Sequence, residues 1–311
     1  MTTAWGDNGI AWDTNKPLER GSHSGIKIPA HGNGERYGDF HKFERGDRSK
    51  TPVIQSHIFK GGYPGGSIVS IVGVPKSGKT TFVLQEAMLS SQNSDVLYLY
   101  NESPRSRFMS IVSRHLDELK IQERTVNRLT FLDMFGVKMG SAQYSAIEGW
   151  VNNIFANKID EWLQNAKNPS MIVIDSISKP LRSYTAQVYY AVQCFTDYMW
   201  KSMKKHQKYP VVIMVSQKSG SMKWDKDNED VLGGMGVLHD CDGSIIVGKD
   251  TILNEYQMKA FHVSIGKTYH WIQITDMRDI DVDTDRHILA KKDGRLVVGR
   301  VLGGHDDGSM E

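Results

Sequence analysis

Gly66-Ser-Ile-Val-Ser-Ile-Val-Gly-Val-Pro-Lys-Ser-Gly-Lys-Thr-Thr-Phe82 is the stretch whose reading decides the fold. A β-branched run, Ile68 to Val72, leads into a glycine-bounded loop, and a helical pattern starts at once after it. The loop Gly73-Val74-Pro75-Lys76-Ser77-Gly78-Lys79-Thr80 meets the P-loop pattern at every fixed position. Successive backbone N–H groups in such a loop line a concave nest for phosphate oxygens, and glycine lets the backbone approach them. The following helix aims its positive dipole end at the same oxygens. Gly73 to Thr80, together with Thr81, are therefore the expected nucleotide-binding residues. Lys79 is placed to reach the β- and γ-phosphates, and the Thr80 hydroxyl to ligate Mg²⁺.

Working outward, the strand-like runs alternate with helical ones. A helix is predicted over 81–92, then a strand Val96–Tyr100 and a helix beginning near Ser103 and Pro104, with Ser103 as its cap. A strand Leu129–Leu132, a helical pattern over 141–165 and a strand Met171–Asp175 follow. Next come a helix over 186–206 and a strand Val211–Val215 that runs on into Ser216 and Gln217. Runs near Gly243–Val247, His270–Ile274, Ile288–Ala290 and Leu296–Val298 complete the sheet. This alternation predicts an α/β fold: a mostly parallel twisted sheet flanked by helices. The organisation expected is a polar N-terminal extension over 1–50, one ATPase-type domain over 51–303 and an acidic tail over 304–311.

In a parallel sheet the functional groups gather at the carboxyl ends of the strands. Asp175 ends an apolar strand and is read as lying beside the P-loop to hold Mg²⁺. Glu102 follows Val96–Tyr100, a strand expected to neighbour the P-loop strand, and is the candidate to take the proton of the attacking water. Gln217 is the candidate to sense the γ-phosphate and pass its state to the loop beyond. The catalytic set is thus Glu102, Lys79 and Gln217, with Thr80 and Asp175 at the metal.

The loop 218–236 is long for a compact domain and carries Lys218, Lys223 and Lys226 around Trp224. Lysines for phosphates and an aromatic for stacking suit single-stranded nucleic acid, although Asp225, Asp227, Glu229 and Asp230 interrupt the pattern. Arg182, in a second loop after Asp175, joins this set. The histidines show no paired metal spacing.

Composition agrees with a globular chain: 39% hydrophobic and 24% charged residues. No apolar run approaches the roughly 18 residues needed to span a bilayer, and the N-terminus does not read as a secretory signal. The two cysteines, Cys194 and Cys241, match no zinc spacing, and a reducing cytoplasm is expected. The net charge of +2 leaves nucleic-acid binding open.

The order of these pieces resembles the RecA-like P-loop ATPase superfamily. Gly61-Gly-Tyr-Pro-Gly-Gly-Ser-Ile-Val-Ser-Ile-Val-Gly73 is similar to the lead-in of RecA, RadA/Sms and KaiC proteins. Val96-Leu-Tyr-Leu-Tyr-Asn-Glu-Ser-Pro104 resembles their strand and catalytic glutamate, and Ile172-Val-Ile-Asp-Ser176 the Walker B strand. Val212-Ile-Met-Val-Ser-Gln217 resembles the strand ending in the RecA and DnaB glutamine, and Leu232-Gly-Gly-Met-Gly-Val-Leu238 the end of a RecA DNA-binding loop. The resemblance implies an ATP- and Mg²⁺-dependent homo-oligomer, a hexameric ring or helical filament with ATP between subunits. It implies single-stranded DNA as a partner, alongside replication or recombination proteins, in a bacterial or phage-infected cell. Lys291, Lys292 and Arg295 stand where these families place a finger toward the neighbour's nucleotide, without the family spacing. A DnaB-like helicase motor and a KaiC-like regulatory ATPase acting on protein partners are the alternatives.

Overall fold

The run Ile68–Gly73 is buried at every position, as a strand covered on both faces must be. In the computed structural model it forms strand β3, after two short strands β1 (Val53–Ile54) and β2 (Tyr63–Pro64) that pair antiparallel. The structure describes residues 53–59, 61–134, 144–177, 179, 188–217, 240–261, 264–278, 282–292 and 294–302. All belong to one of two units of the chain, Asp47–Glu311.

Helix α1 (Lys79–Ser90) leaves the P-loop directly, and strand β4 (Asp95–Tyr100) follows. Helix α2 (Arg105–Leu119) comes next. Pro104, in extended conformation, is its cap, and no side chain caps it; Ser103 lies one residue outside the position predicted. Strand β5 (Leu129–Asp133) completes this half. The helical pattern over 141–165 divides into α3 (Tyr144–Trp150), a π-helical turn (Val151–Ala156) and α4 (Asn157–Asn165). Among its described residues Ile147, Val151, Ile159 and Leu163 are buried.

Strand β6 (Pro169–Asp175), helix α5 (Val188–His206) and strand β7 (Val211–Gln217) follow. The chain then runs through β8 (Gly243–Thr251), a short helix α6 (Glu255–Phe261) absent from the sequence reading, and β9 (Thr268–Met277). The hairpin β10 (Arg286–Lys292) and β11 (Arg295–Leu302) ends the described chain.

The nine-stranded sheet has the order β11-β10-β9-β8-β3-β7-β6-β4-β5. From β8 to β5 neighbours are parallel; from β8 out to β11 they are antiparallel. The order corrects one expectation. Strand β4, which leads to Glu102, does not neighbour the P-loop strand, because β7 and β6 lie between them. Likewise β6, with Asp175, is separated from β3 by β7. All the parallel strands carry similar apolar runs, so local sequence holds no signal for which lies next to which; the helices packed across them decide it.

The core on one face joins Phe82, Val83, Leu84 and Met88 of α1 to Phe108, Val112 and Leu116 of α2. These pack over Val69, Ile71, Tyr98, Val173 and Ile213. Alternate residues such as Ile172, Ile174, Val212 and Met214 are buried on the opposite face. Stacking of Tyr100 on Phe108, with centroids 4.0 Å apart, ties the end of β4 to α2 where the chain enters the site. Among the described residues no helix is long and apolar enough to cross a membrane.

Candidate active site

The P-loop backbone is bent where the sequence allows it. Gly78 takes φ +103° and Lys76 φ +64°, so the loop curls back before α1 begins. Gly73 is glycine for a different reason from the one the motif suggests. A Cβ there would lie 2.1 Å from the Val247 carbonyl oxygen of β8 and 2.8 Å from Ser77 Oγ. Packing against the next strand, rather than access for phosphate, forbids a side chain at that position.

A cleft of 680 Å³ opens over this loop. Pro75 to Thr81 form its floor, and Tyr100, Glu102, Asp175, Ser176 and Gln217 line the carboxyl ends of the strands. Arg107, Phe108, Ile111 and Arg114 of α2 form one wall; His270, Leu289, Lys291 and Leu296 of the antiparallel strands form another. The separated strands β3, β7, β6 and β4 therefore still deliver their end residues into one cavity.

Lys79 is buried and folded onto its own loop. Its Nζ donates to the Gly73 carbonyl at 2.7 Å and to the Val74 carbonyl at 2.9 Å. Burial pulls its pKa down to about 8, against the opposing pull of Asp175 and Glu102. Asp175 is also buried. Tyr98 donates its hydroxyl to Oδ2 at 2.9 Å, and Thr80 hydrogen-bonds the same carboxylate. Burial still lifts Asp175 to about 6, since those donors and Lys79 offset the desolvation only in part. Thr80 and Asp175 thus stand together as hard oxygen donors, the chemistry Mg²⁺ prefers, and fit such an ion.

Two turns at the strand ends are stitched together. The Asn101 side chain donates to the Ser176 carbonyl at 2.7 Å and accepts from the Ser176 amide at 2.9 Å. Ser176 Oγ donates to Glu102 Oε1 at 2.5 Å, and Gln217 Nε2 donates to the same oxygen at 3.4 Å. Gln217 pairs in register with Gly73, so it lies at the P-loop's edge. The sequence-selected residues Lys79, Thr80, Glu102, Asp175 and Gln217 are therefore one constellation.

A family model described as "ATPase: KaiC" matches residues 52–300, most of the chain and all of the elements above except the end of β11. The chain belongs to the KaiC family of ATPases. A KaiC-like protein from the hyperthermophilic archaeon Pyrococcus horikoshii shares the fold at 15% identity and a TM-score of 0.54. The match covers 80% of this chain and 100% of that one. No curated protein matches the chain in sequence.

Within this KaiC-family site, sequence reading missed several contributors. His270, on β9, reaches the P-loop from a strand remote in sequence and bonds the Ser77 carbonyl through Nδ1 at 2.7 Å. A carbonyl only accepts, so Nδ1 carries the hydrogen. Tyr98 and Ser176 were visible as residues, but nothing local announced their bonds to Asp175 and Glu102. Of the finger candidates, Lys291 lines the cleft of its own chain and pairs with Glu118 at 2.6 Å. Lys292 and Arg295 pair across the β10–β11 turn and are exposed. Arg182, Lys218, Lys223, Trp224 and Lys226 lie outside the described residues.

Proposed function

We propose that this KaiC-family ATPase hydrolyses ATP with Mg²⁺ at the cleft and couples turnover, through Gln217, to single-stranded DNA held by the 218–236 loop. The observation that carries the hydrolytic part is the convergence of Lys79, Thr80, Asp175, Glu102 and Gln217 in one cavity. Lys79 leaves the Gly73 and Val74 carbonyls to bond the γ-phosphate. Bound at Thr80 and Asp175, Mg²⁺ would supply charge neutralisation for the phosphates. Ser176 and Gln217 both bond Oε1 of Glu102, so Oε2 is assigned to the attacking water. The water oxygen forms a bond to the γ-phosphorus, the bridging oxygen departs with ADP, and Glu102 takes the proton.

The DNA part rests on the residues of the loop. Gln217 touches Glu102 and directly precedes Lys218, so a change at the γ-phosphate has a one-residue path to the start of the segment that carries Lys218, Lys223, Trp224 and Lys226. Arg182 would join them. The same reading includes assembly into a ring or filament, with exposed Lys292 and Arg295, or Lys291, as the finger toward a neighbour's nucleotide.

A second reading, a regulatory ATPase acting on a protein partner, is favoured by the family match and by the acidic residues among those lysines. Hydrolysis assayed with and without single-stranded DNA, across salt, separates them. Stimulation that fades as salt rises supports phosphate contacts. Turnover indifferent to DNA supports the protein-partner reading and sinks the DNA one.

A further inference from the structure

Lys179 opens the second loop after Asp175, the one that also holds Arg182, and its own side chain has a different engagement. Its ammonium donates to two consecutive main-chain carbonyls, Asn101 O at 2.6 Å and Glu102 O at 2.7 Å. Consecutive carbonyls in extended chain point to opposite sides, so one ammonium can meet both only where the chain turns. That turn is the junction between the end of β4 at Tyr100 and the start of α2 at Arg105. The peptide so held is the one that carries Glu102.

We propose that Lys179 is a positioning residue for Glu102, setting where its carboxylate points in the cleft. Asn101 is already fixed by its paired bonds to Ser176. Lys179 extends the hold to Glu102's own carbonyl, from the segment after β6 to the segment after β4. Without the ammonium, the Asn101 and Glu102 carbonyls turn to water and the peptide between them gains rotational freedom. The carboxylate then swings about that peptide, away from Ser176 and Gln217. A displacement of about 1 Å at a reacting group is enough to cost roughly 100-fold in rate. Lys179 touches no phosphate in this account; it acts through another residue, so ATP affinity is untouched.

The inference rests on the reading of Glu102 as the base, and the test separates the two. Steady-state hydrolysis and binding of a fluorescent ATP analogue are measured for the parent, K179M, K179R, E102Q and the K179M/E102Q double variant. Methionine keeps the stem and removes the donors; arginine keeps donors for two carbonyls. The expected result is a kcat at least about tenfold lower in K179M. KM and analogue affinity stay within about twofold, and K179R recovers part of the rate. In the E102Q background K179M costs less than about twofold more, because the group it positions is gone. If E102Q is slow but K179M turns over like the parent, or lowers the rate equally in both backgrounds, Lys179 is not a positioning residue for Glu102. If E102Q itself turns over normally, the assignment of the base fails, and that of Lys179 with it.

Discussion

Tyr98 on β4 donates its hydroxyl to Asp175 Oδ2 on the adjacent strand β6 at 2.9 Å, with both side chains buried. The donor favours the charged carboxylate and holds down a pKa that burial lifts to about 6. Y98F removes it. Asp175 should become more basic, and the acid limb of kcat/KM should move upward by roughly one pH unit, since this profile reports the free enzyme. Stability should fall by about 1 kcal/mol. A pH–rate series on the two proteins checks both the direction and the size; an unmoved acid limb would remove Tyr98 from the account.

Burial pulls the pKa of the Lys79 ammonium down to about 8. Bonding to a γ-phosphate needs the ammonium, so above pH 8 the protein must take up a proton as ATP binds. Affinity should be flat below that pH and weaken by up to about tenfold per unit above it. K79Q should bind more weakly at neutral pH and lose this slope. Titration of a fluorescent ATP analogue between neutral and alkaline pH reads both.

Glu86 on α1 is buried, accepting from Ser56 Oγ at 3.0 Å and the His57 amide at 3.3 Å, and burial raises its pKa from 4.5 to about 7. Between those values the folded protein keeps a proton that the unfolded chain releases. The Glu86 contribution is therefore most favourable below pH 4.5 and is lost as pH rises to about 7. The steepest loss is up to about 1.4 kcal/mol per pH unit. E86Q lacks this contribution and should gain on the parent as pH rises through the window. His57, held below its usual value by burial and by Arg295, contributes to both proteins and cancels in the difference. Urea unfolding at several pH values measures the slope, and parallel curves for the two proteins would contradict it.

His270 braces the Ser77 carbonyl from β9. The P-loop amides hold phosphate in the ground and transition states alike, so loosening them should raise KM and spare kcat. H270A should raise the KM for ATP by about fivefold, the worth of one hydrogen bond of about 1 kcal/mol. H270N, whose side-chain amide can donate at the Nδ1 position, should restore it. A fall in kcat with KM unchanged would assign His270 elsewhere.

The placement of residues 73–80, Asp175 and Glu102 at one end of the sheet was legible because each closes or follows a short strand pattern. The strands β3, β4, β6 and β7 were legible as short runs dominated by apolar residues. The helix α6 was missed because its short Glu255–Phe261 segment presents no sustained apolar face, and Tyr256 is exposed. The π-helical turn at Val151–Ala156 was missed because it keeps helical periodicity on either side and alters only the hydrogen-bond step.

By itself the sequence determined the α/β class, the P-loop and the residues at the strand ends. Those depend on backbone periodicity and on which residue types can cradle phosphate or move a proton, and both are written locally. Only the tertiary structure decided that β7 and β6 separate the P-loop strand from the Glu102 strand. It alone brought His270 to Ser77, Tyr98 to Asp175 and Lys179 to the Glu102 carbonyl. Strand order and these contacts come from how helices pack across interchangeable apolar strands, a choice made between segments distant in the chain and carried by none of them alone.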